Sequence, residues 1–176
     1  MKKIFLNLIT ITILLFLYKN SYGFEVISPA FKAGDKMPKI HICARQGGKD
    51  MSIPINFINI PDGTAVLAII IDDPDAKSVA GYTWVHYVLT DIPVENINLS
   101  AMKNGKYKFG KLGRNSTGSR AYQGMCPPNG KHIYRIAGFA LSKPIQKKLG
   151  SLTIDKFEKK YKNIIISKSQ FTGWWK

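Results

Sequence analysis

Four stretches of the chain have the length and composition of strands. Ala65 to Ile71 is an unbroken apolar run, fit for a strand buried on both faces. Trp84 to Thr90 and His132 to Leu141 are two more, the first closed by Asp91-Ile92-Pro93. Ile53 to Ile60 is also apolar, but Pro54 has no N–H for a ladder, which predicts an edge or irregular strand. Pro61-Asp62-Gly63 supplies the turn that follows. The period changes once. Ile154, Phe157, Tyr161 and Ile164 share one helical face, behind Ser151 or Thr153 as cap. Ile164 to Ile166 and Phe171 to Trp175 are apolar again and are expected to pack back onto the body. Glu95 to Gly130 is a long, polar, glycine-containing connection, and such a stretch carries function or holds short elements of its own. The pattern predicts one mostly β domain over residues 24–176, with few helices and no internal repeat.

A further apolar run opens the chain. Lys2 and Lys3 precede Ile4 to Tyr18, which is diluted only by Asn7, Thr10 and Thr12. Ser21-Tyr22-Gly23 then places small residues at the −3 and −1 positions of a cut before Phe24. This predicts a signal peptide over residues 1–23 and an exported protein, periplasmic or secreted. The alternative is an uncleaved membrane anchor, for which the run is short, since a spanning helix takes about 20 apolar residues.

Composition narrows the class. The 176 residues are 45% apolar and 21% charged, which excludes a wholly disordered chain. Lys and Arg number 26 against 11 Asp and Glu, a net charge of +15. Cleavage before Phe24 removes three lysines and no acid, leaving +12 on 153 residues. The lysines are scattered and form no long basic run, and no RNP-like aromatic motif accompanies them. They predict a solvated surface and no specific nucleic-acid contact. Cys43 and Cys126 are too few for a disulfide-dense scaffold and lack CxxC spacing. In an oxidising compartment they either pair or remain two buried thiols.

The candidate chemistry falls in three segments. Asp72-Asp73-Pro74-Asp75-Ala76 follows the buried strand, and acids beside a proline also make an ordinary Asx turn. In Trp84-Val85-His86-Tyr87, strand alternation puts Trp84 and His86 on one face and Val85 and Tyr87 on the other. Tyr122 to Tyr134 contains Gly124-Met125-Cys126-Pro127-Pro128, a stiff loop that lets backbone approach a ligand, then His132 and Tyr134 on one strand face. The chain has three histidines, His41, His86 and His132, and two of them lie in these segments.

Together, Asp73-Pro74-Asp75-Ala76, Trp84-x-His86, Gly124-x-Cys126-Pro127-Pro128 and His132-x-Tyr134 resemble the phosphatidylethanolamine-binding protein family, also called the Raf kinase inhibitor protein family. The bacterial branch is the closer match, through Ser28-Pro29-Ala30-Phe31, Cys43 to Gly48 and Asn115-Ser116-Thr117-Gly118. The resemblance implies a central antiparallel sheet, a smaller flanking sheet and few helices. It also implies a small surface cavity for phosphate, sulfate, acetate or a phosphorylated headgroup. By motif position that cavity is lined by Asp73, Trp84, His86, Gly124, Cys126, Pro128, His132 and Tyr134, with Asp75, Tyr122 and Pro127 in support. No catalytic residue, metal or cofactor is implied. The chain departs from the family pattern at Ile133, where an arginine is common, and at Gly173-Trp174-Trp175, where the family has Gly-x-Tyr.

An oxyanion wants donors, and backbone N–H groups, a tyrosine hydroxyl and imidazoles supply them. Charged imidazoles donate most strongly, so anion affinity is expected to weaken as pH rises through the histidine titration. Three other readings use the same residues or charge: an Asp/His hydrolase, with or without a metal; a regulator docking an acidic or phosphorylated segment of a protein partner; and a basic surface for anionic polymer. A membrane would enter only through the N-terminal segment or a lipid headgroup.

Overall fold

Strand β3 (Val66–Asp73) is the axis of the molecule, and all eight of its residues are buried. A continuous apolar run has no polar side to offer water, so it needs cover on both faces. The computed structural model describes residues 23–95 and 97–176. The signal segment expected at 1–23 therefore lies outside the described residues, apart from Gly23.

Strand β3 pairs with β4 (Trp84–Pro93) on one side and β7 (His132–Leu141) on the other. β6 (Lys111–Leu112) and β8 (Ile165–Trp175) complete a five-stranded antiparallel sheet in the order β6-β4-β3-β7-β8. A second antiparallel sheet has the order β1-β2-β5, from β1 (Glu25–Ile27), β2 (Ile55–Ile58) and β5 (Asn98–Leu99). Helices are short: α1 (Lys77–Ala80), α2 (Ile154–Tyr161) and 3-10 turns at Lys39–His41 and Ala44–Gln46. The fold is mostly β, a larger antiparallel sheet flanked by a smaller one, as the resemblance implies.

The strand period sorts the core into two layers. Leu67, Ile69 and Ile71 join Tyr134, Ile136 and the small sheet's Val26, Ile55 and Phe57. Val66, Ala68 and Ile70 join Ala137, Phe139 and Leu141 beneath Ile154 and Phe157 of α2. Thr153 rather than Ser151 caps that helix, its hydroxyl accepting from Lys156 N–H. Ile164 packs with the same layer from beyond the helix end.

Three expectations about the strands are corrected. β2 is the middle strand of its sheet, not an edge. Its ladder begins at Ile55, so Pro54 stands just outside and no pairing N–H is missed. β4 does not stop before Asp91. It runs through Pro93 because a register shift between Leu67 and Ile69, with Asp91 at φ 53°, absorbs the irregular residues. Tyr87 does not share a face with Val85: Val85 lies in the helix-side layer and Tyr87 in the layer against the small sheet. A second shift is responsible, since Ile71 pairs with Tyr87 and Asp72 with Val85, leaving His86 as the extra residue. The C-terminal apolar tail is itself a strand, β8, antiparallel to β7 along its length. The long connection holds β5 and β6 and a loop pinned by Asn115, whose side-chain oxygen accepts from Thr117 and Ser119 N–H.

Candidate functional site

The end of β3 carries two adjacent acids that alternation sends to opposite faces. Asp73 serves two functions at one carboxylate. Its Oδ1 accepts from Asp75 N–H (2.9 Å) and Ala76 N–H (3.1 Å), the Asx turn that starts the run into α1. Its Oδ2 accepts from His132 Nδ1 at 2.7 Å, with both side chains buried. The antiparallel partners bring these groups together: β4 sets Trp84 opposite Asp73, and β7 delivers His132. Asp75 supports the same corner, its Oδ2 accepting from Ile133 N–H at 2.8 Å.

The extra residue in β4 turns His86 toward Asp73 and Tyr134 instead of into the helix-side layer. Its Nδ1 donates to the Gln123 carbonyl (3.0 Å), and Gln123 N–H donates back to the His86 carbonyl (3.0 Å). Gln123 Oε1 accepts from the Trp84 indole at 3.0 Å, and Tyr82 stacks on that indole with ring centroids 5.7 Å apart. Burial pulls the His86 pKa below the usual histidine value, only partly opposed by the Gln123 carbonyl and the Asp73 charge. The lowered pKa favours the neutral ring at neutral pH.

A second wall comes from two loops far apart in sequence. Cys43 and Cys126 form a disulfide with Cα atoms 5.5 Å apart. Around it, Gln46 Nε2 donates to the Pro127 carbonyl (2.8 Å), and Tyr122 Oη to the His41 carbonyl (2.8 Å). Asp50 bridges the loops from both sides, accepting Gly124 N–H at Oδ1 (3.0 Å) and Ala44 N–H at Oδ2 (3.3 Å). Gly124 is required there because a Cβ would stand 2.5 Å from Cys43 N and 2.6 Å from Asp50 Oδ1. Arg45 Nη2 lies 3.4 Å from Cys126 Sγ.

These walls enclose a cavity of about 280 Å³, near the lower end of small-ligand sites, about 300–1,000 Å³. Asp73, Trp84, His86, Cys126, Pro127, Pro128 and His132 line it. Two expected lining residues stand elsewhere. Gly124 is buried behind the wall against Asp50 and the Ile42–Cys43 backbone, where only a glycine fits. Tyr134 is fully buried, its ring 5.3 Å from that of His86 and 6.3 Å from that of His132. Its hydroxyl has no partner among the described residues, and burial with the nearby Asp73 charge raises its pKa well above the usual range. Tyr122, expected in support, ties the loops together and does not reach the cavity.

Arg45, Ala76, Val79, Ala80 and Gln123 also line the cavity; none was expected on its wall, although Ala76 closes the Asp73-Pro74-Asp75-Ala76 motif. Val79 and Ala80 lie on α1, which is too short to carry a period, and Arg45 sits in a polar turn with no pattern to mark it. Gln123 adjoins the quoted glycine loop, which is the one signal that pointed to it. His41 stands apart, buried and bonded through Nδ1 to the Met51 carbonyl. Among the described residues no three His, Cys, Asp or Glu side chains cluster to hold a metal ion, and no helix is long and apolar enough to cross a membrane.

Comparisons with known proteins agree with this architecture. Residues 27–176 match the family described as phosphatidylethanolamine-binding protein. A UPF0098 protein of Aquifex aeolicus is 37% identical over 130 residues, covering 67% of this chain and 68% of its own. The UPF0098 protein YbcL of Escherichia coli is 30% identical over 147 residues, covering 77% and 79%. The crystal structure of a phosphatidylethanolamine-binding protein homologue from Chlamydia trachomatis superposes with a TM-score of 0.75 at 25% identity, over 88% of this chain and 97% of that one. That of YbcL gives 0.74 at 23% identity, over 87% and 98%. With a match spanning nearly all the described residues and a shared two-sheet fold, the chain belongs to the phosphatidylethanolamine-binding protein family.

Proposed function

We propose that this protein is a non-catalytic binding protein whose cavity takes a small phosphorylated or otherwise anionic group. The observation that supports this reading is the meeting of three distant segments. Asp73, Trp84, His86, Cys126 and His132 close on one small cavity, with imidazoles held by a carboxylate and a carbonyl. Such braced imidazoles are placed to bond a ligand and not to hold each other. A cavity of about 280 Å³ matches a lipid headgroup better than a whole lipid.

Calorimetric titration of the full chain with phosphate and phosphoethanolamine tests the reading. Saturable binding is expected, and it should be lost in a folded His132→Ala variant. Heats that never saturate with either compound would end it. Turnover of phosphoethanolamine, or anion affinity unchanged in the variant, would favour the hydrolase or the polymer-binding surface. We further propose that residues 1–23 direct export and are removed before Phe24. N-terminal sequencing of protein recovered from the native cell envelope should then begin at Phe24.

A further inference from the structure

The ionisable side chains lining the cavity are Arg45, Asp73, His86 and His132. Asp73 has little capacity to spare: Oδ1 already accepts two N–H groups and Oδ2 an imidazole N–H, three of about four carboxylate lone pairs. Each histidine gives its Nδ1 proton to a protein acceptor, His86 to a carbonyl and His132 to the carboxylate. Neither Nε2 has a partner among the described residues, and neither is among the buried unpartnered atoms, so both stay accessible from the cavity. His86, neutral with Nδ1 protonated, presents a lone pair at Nε2. That is an acceptor, and it faces a site expected to hold an anion.

Arg45 is the complement. It is exposed, makes no salt bridge among the described residues, and its one hydrogen bond is to a disulfide sulfur, a weak acceptor. Most of its guanidinium donors are left for an oxyanion, and Arg is permanently charged.

We propose that the cavity selects oxyanions that still carry a proton, gripping their charge with Arg45 and taking their O–H at His86 Nε2. This rests on the anion-binding reading above and deepens it. Inorganic phosphate fits, since both its monoanion and its dianion carry a hydroxyl beside charged oxygens around neutral pH; a monoester, with a second pKa of about 6, keeps that hydroxyl only in its minority monoanion there. Sulfate has the same tetrahedral shape but no proton at that pH. Against a bare lone pair it meets repulsion where phosphate donates a bond, and a buried polar contact left unmade is costly.

The experiment compares phosphate with sulfate on the intact protein at pH 7 and equal ionic strength, by competition calorimetry. Phosphate should bind at least about ten-fold tighter, the scale of one hydrogen bond to a site built for it. Arg45→Gln should weaken both anions about ten-fold and preserve their ratio, while Arg45→Lys restores part of the loss. Equal affinities for the two anions would overturn the selection, and an unaffected Arg45→Gln variant would overturn the grip. Absence of binding by either anion would instead remove the anion-binding reading itself. The main comparison uses the unmodified chain, so no variant has to fold for it to decide.

Discussion

Asp72 and Asp73 are consecutive, equally buried and on one strand, yet they are unlike in what they do. Asp72 points to the helix-side layer. It takes a two-pronged bond from Arg135 (2.8 and 2.9 Å) and the Ile154 N–H at the start of α2 (2.9 Å). Its partner is a permanent cation whose pKa is pushed further up, chiefly by that contact. Asp73 points to the other face, and its partner His132 lines a cavity. One acid fastens a helix to the sheet; the other aims a ring. The difference follows from the period of two alone, which turns neighbouring carboxylates into different environments.

That contrast can be broken at several points, the largest first. Asp72→Ala leaves the Ile154 N–H at the α2 N-terminus without its acceptor and Arg135 with only the exposed Asp155, and should cost about 3–5 kcal/mol in urea unfolding, as for other buried pairs that lose one partner. The folded fraction should still bind phosphate normally. A large binding defect there would mean the two faces are coupled. On the cavity side the strongest brace is the disulfide. Cys43→Ser with Cys126→Ser should cost about 2–4 kcal/mol by releasing the long loop in the unfolded chain, measured as a lower urea midpoint. A shift below the error of the fit would show that Asp50 and Tyr122 already hold the loops.

Asp73→Asn should be milder in stability and harsher in binding. An asparagine oxygen still accepts the turn N–H groups, but the charge-assisted bond to His132 is lost, about 1.5–3 kcal/mol of interaction. Phosphate affinity should fall more than stability does, and the opposite ranking would make Asp73 a second Asp72. The smallest effect concerns pH. Burial lowers the pKa of His86 and of His41 below 6.5. The unfolded chain thus takes up protons first as pH falls below 6.5, so stability is full above that value and declines beneath it. Unfolding midpoints at pH 7.5 and 5.0 should show the decline, and a folded His86→Gln variant should show less of it. An identical slope would assign the effect to other groups.

Much of this was legible beforehand, for reasons that particular residues make plain. β7 begins and ends where the His132 to Leu141 pattern predicted, because its outer end alternates and its inner end is buried by both layers. Thr153 and the face of Ile154 and Phe157 gave α2, since capping and a 3.6-residue period are local properties. The Asp73 turn was legible too, but its bond to His132 across 59 residues was not. Tyr134 and Gly124 were expected on the cavity wall and stand behind it, because motif position says which residues gather but not which of them is covered by the others. The expected exit of β4 at Asp91 failed because a left-handed residue within a strand reads as a turn until a partner strand is there to hold it.

The amino-acid sequence by itself determined the strands of continuous or alternating apolar residues, the one capped helix and the segments where chemistry gathers. Each of these depends on neighbours within a few positions. Tertiary structure alone decided that His86 is the extra residue of a shifted register, that Cys43 and Cys126 meet, and that Arg45 stands at the cavity. Those outcomes depend on which strand lies opposite and how two loops 80 residues apart are pressed together, and a local pattern carries no record of either.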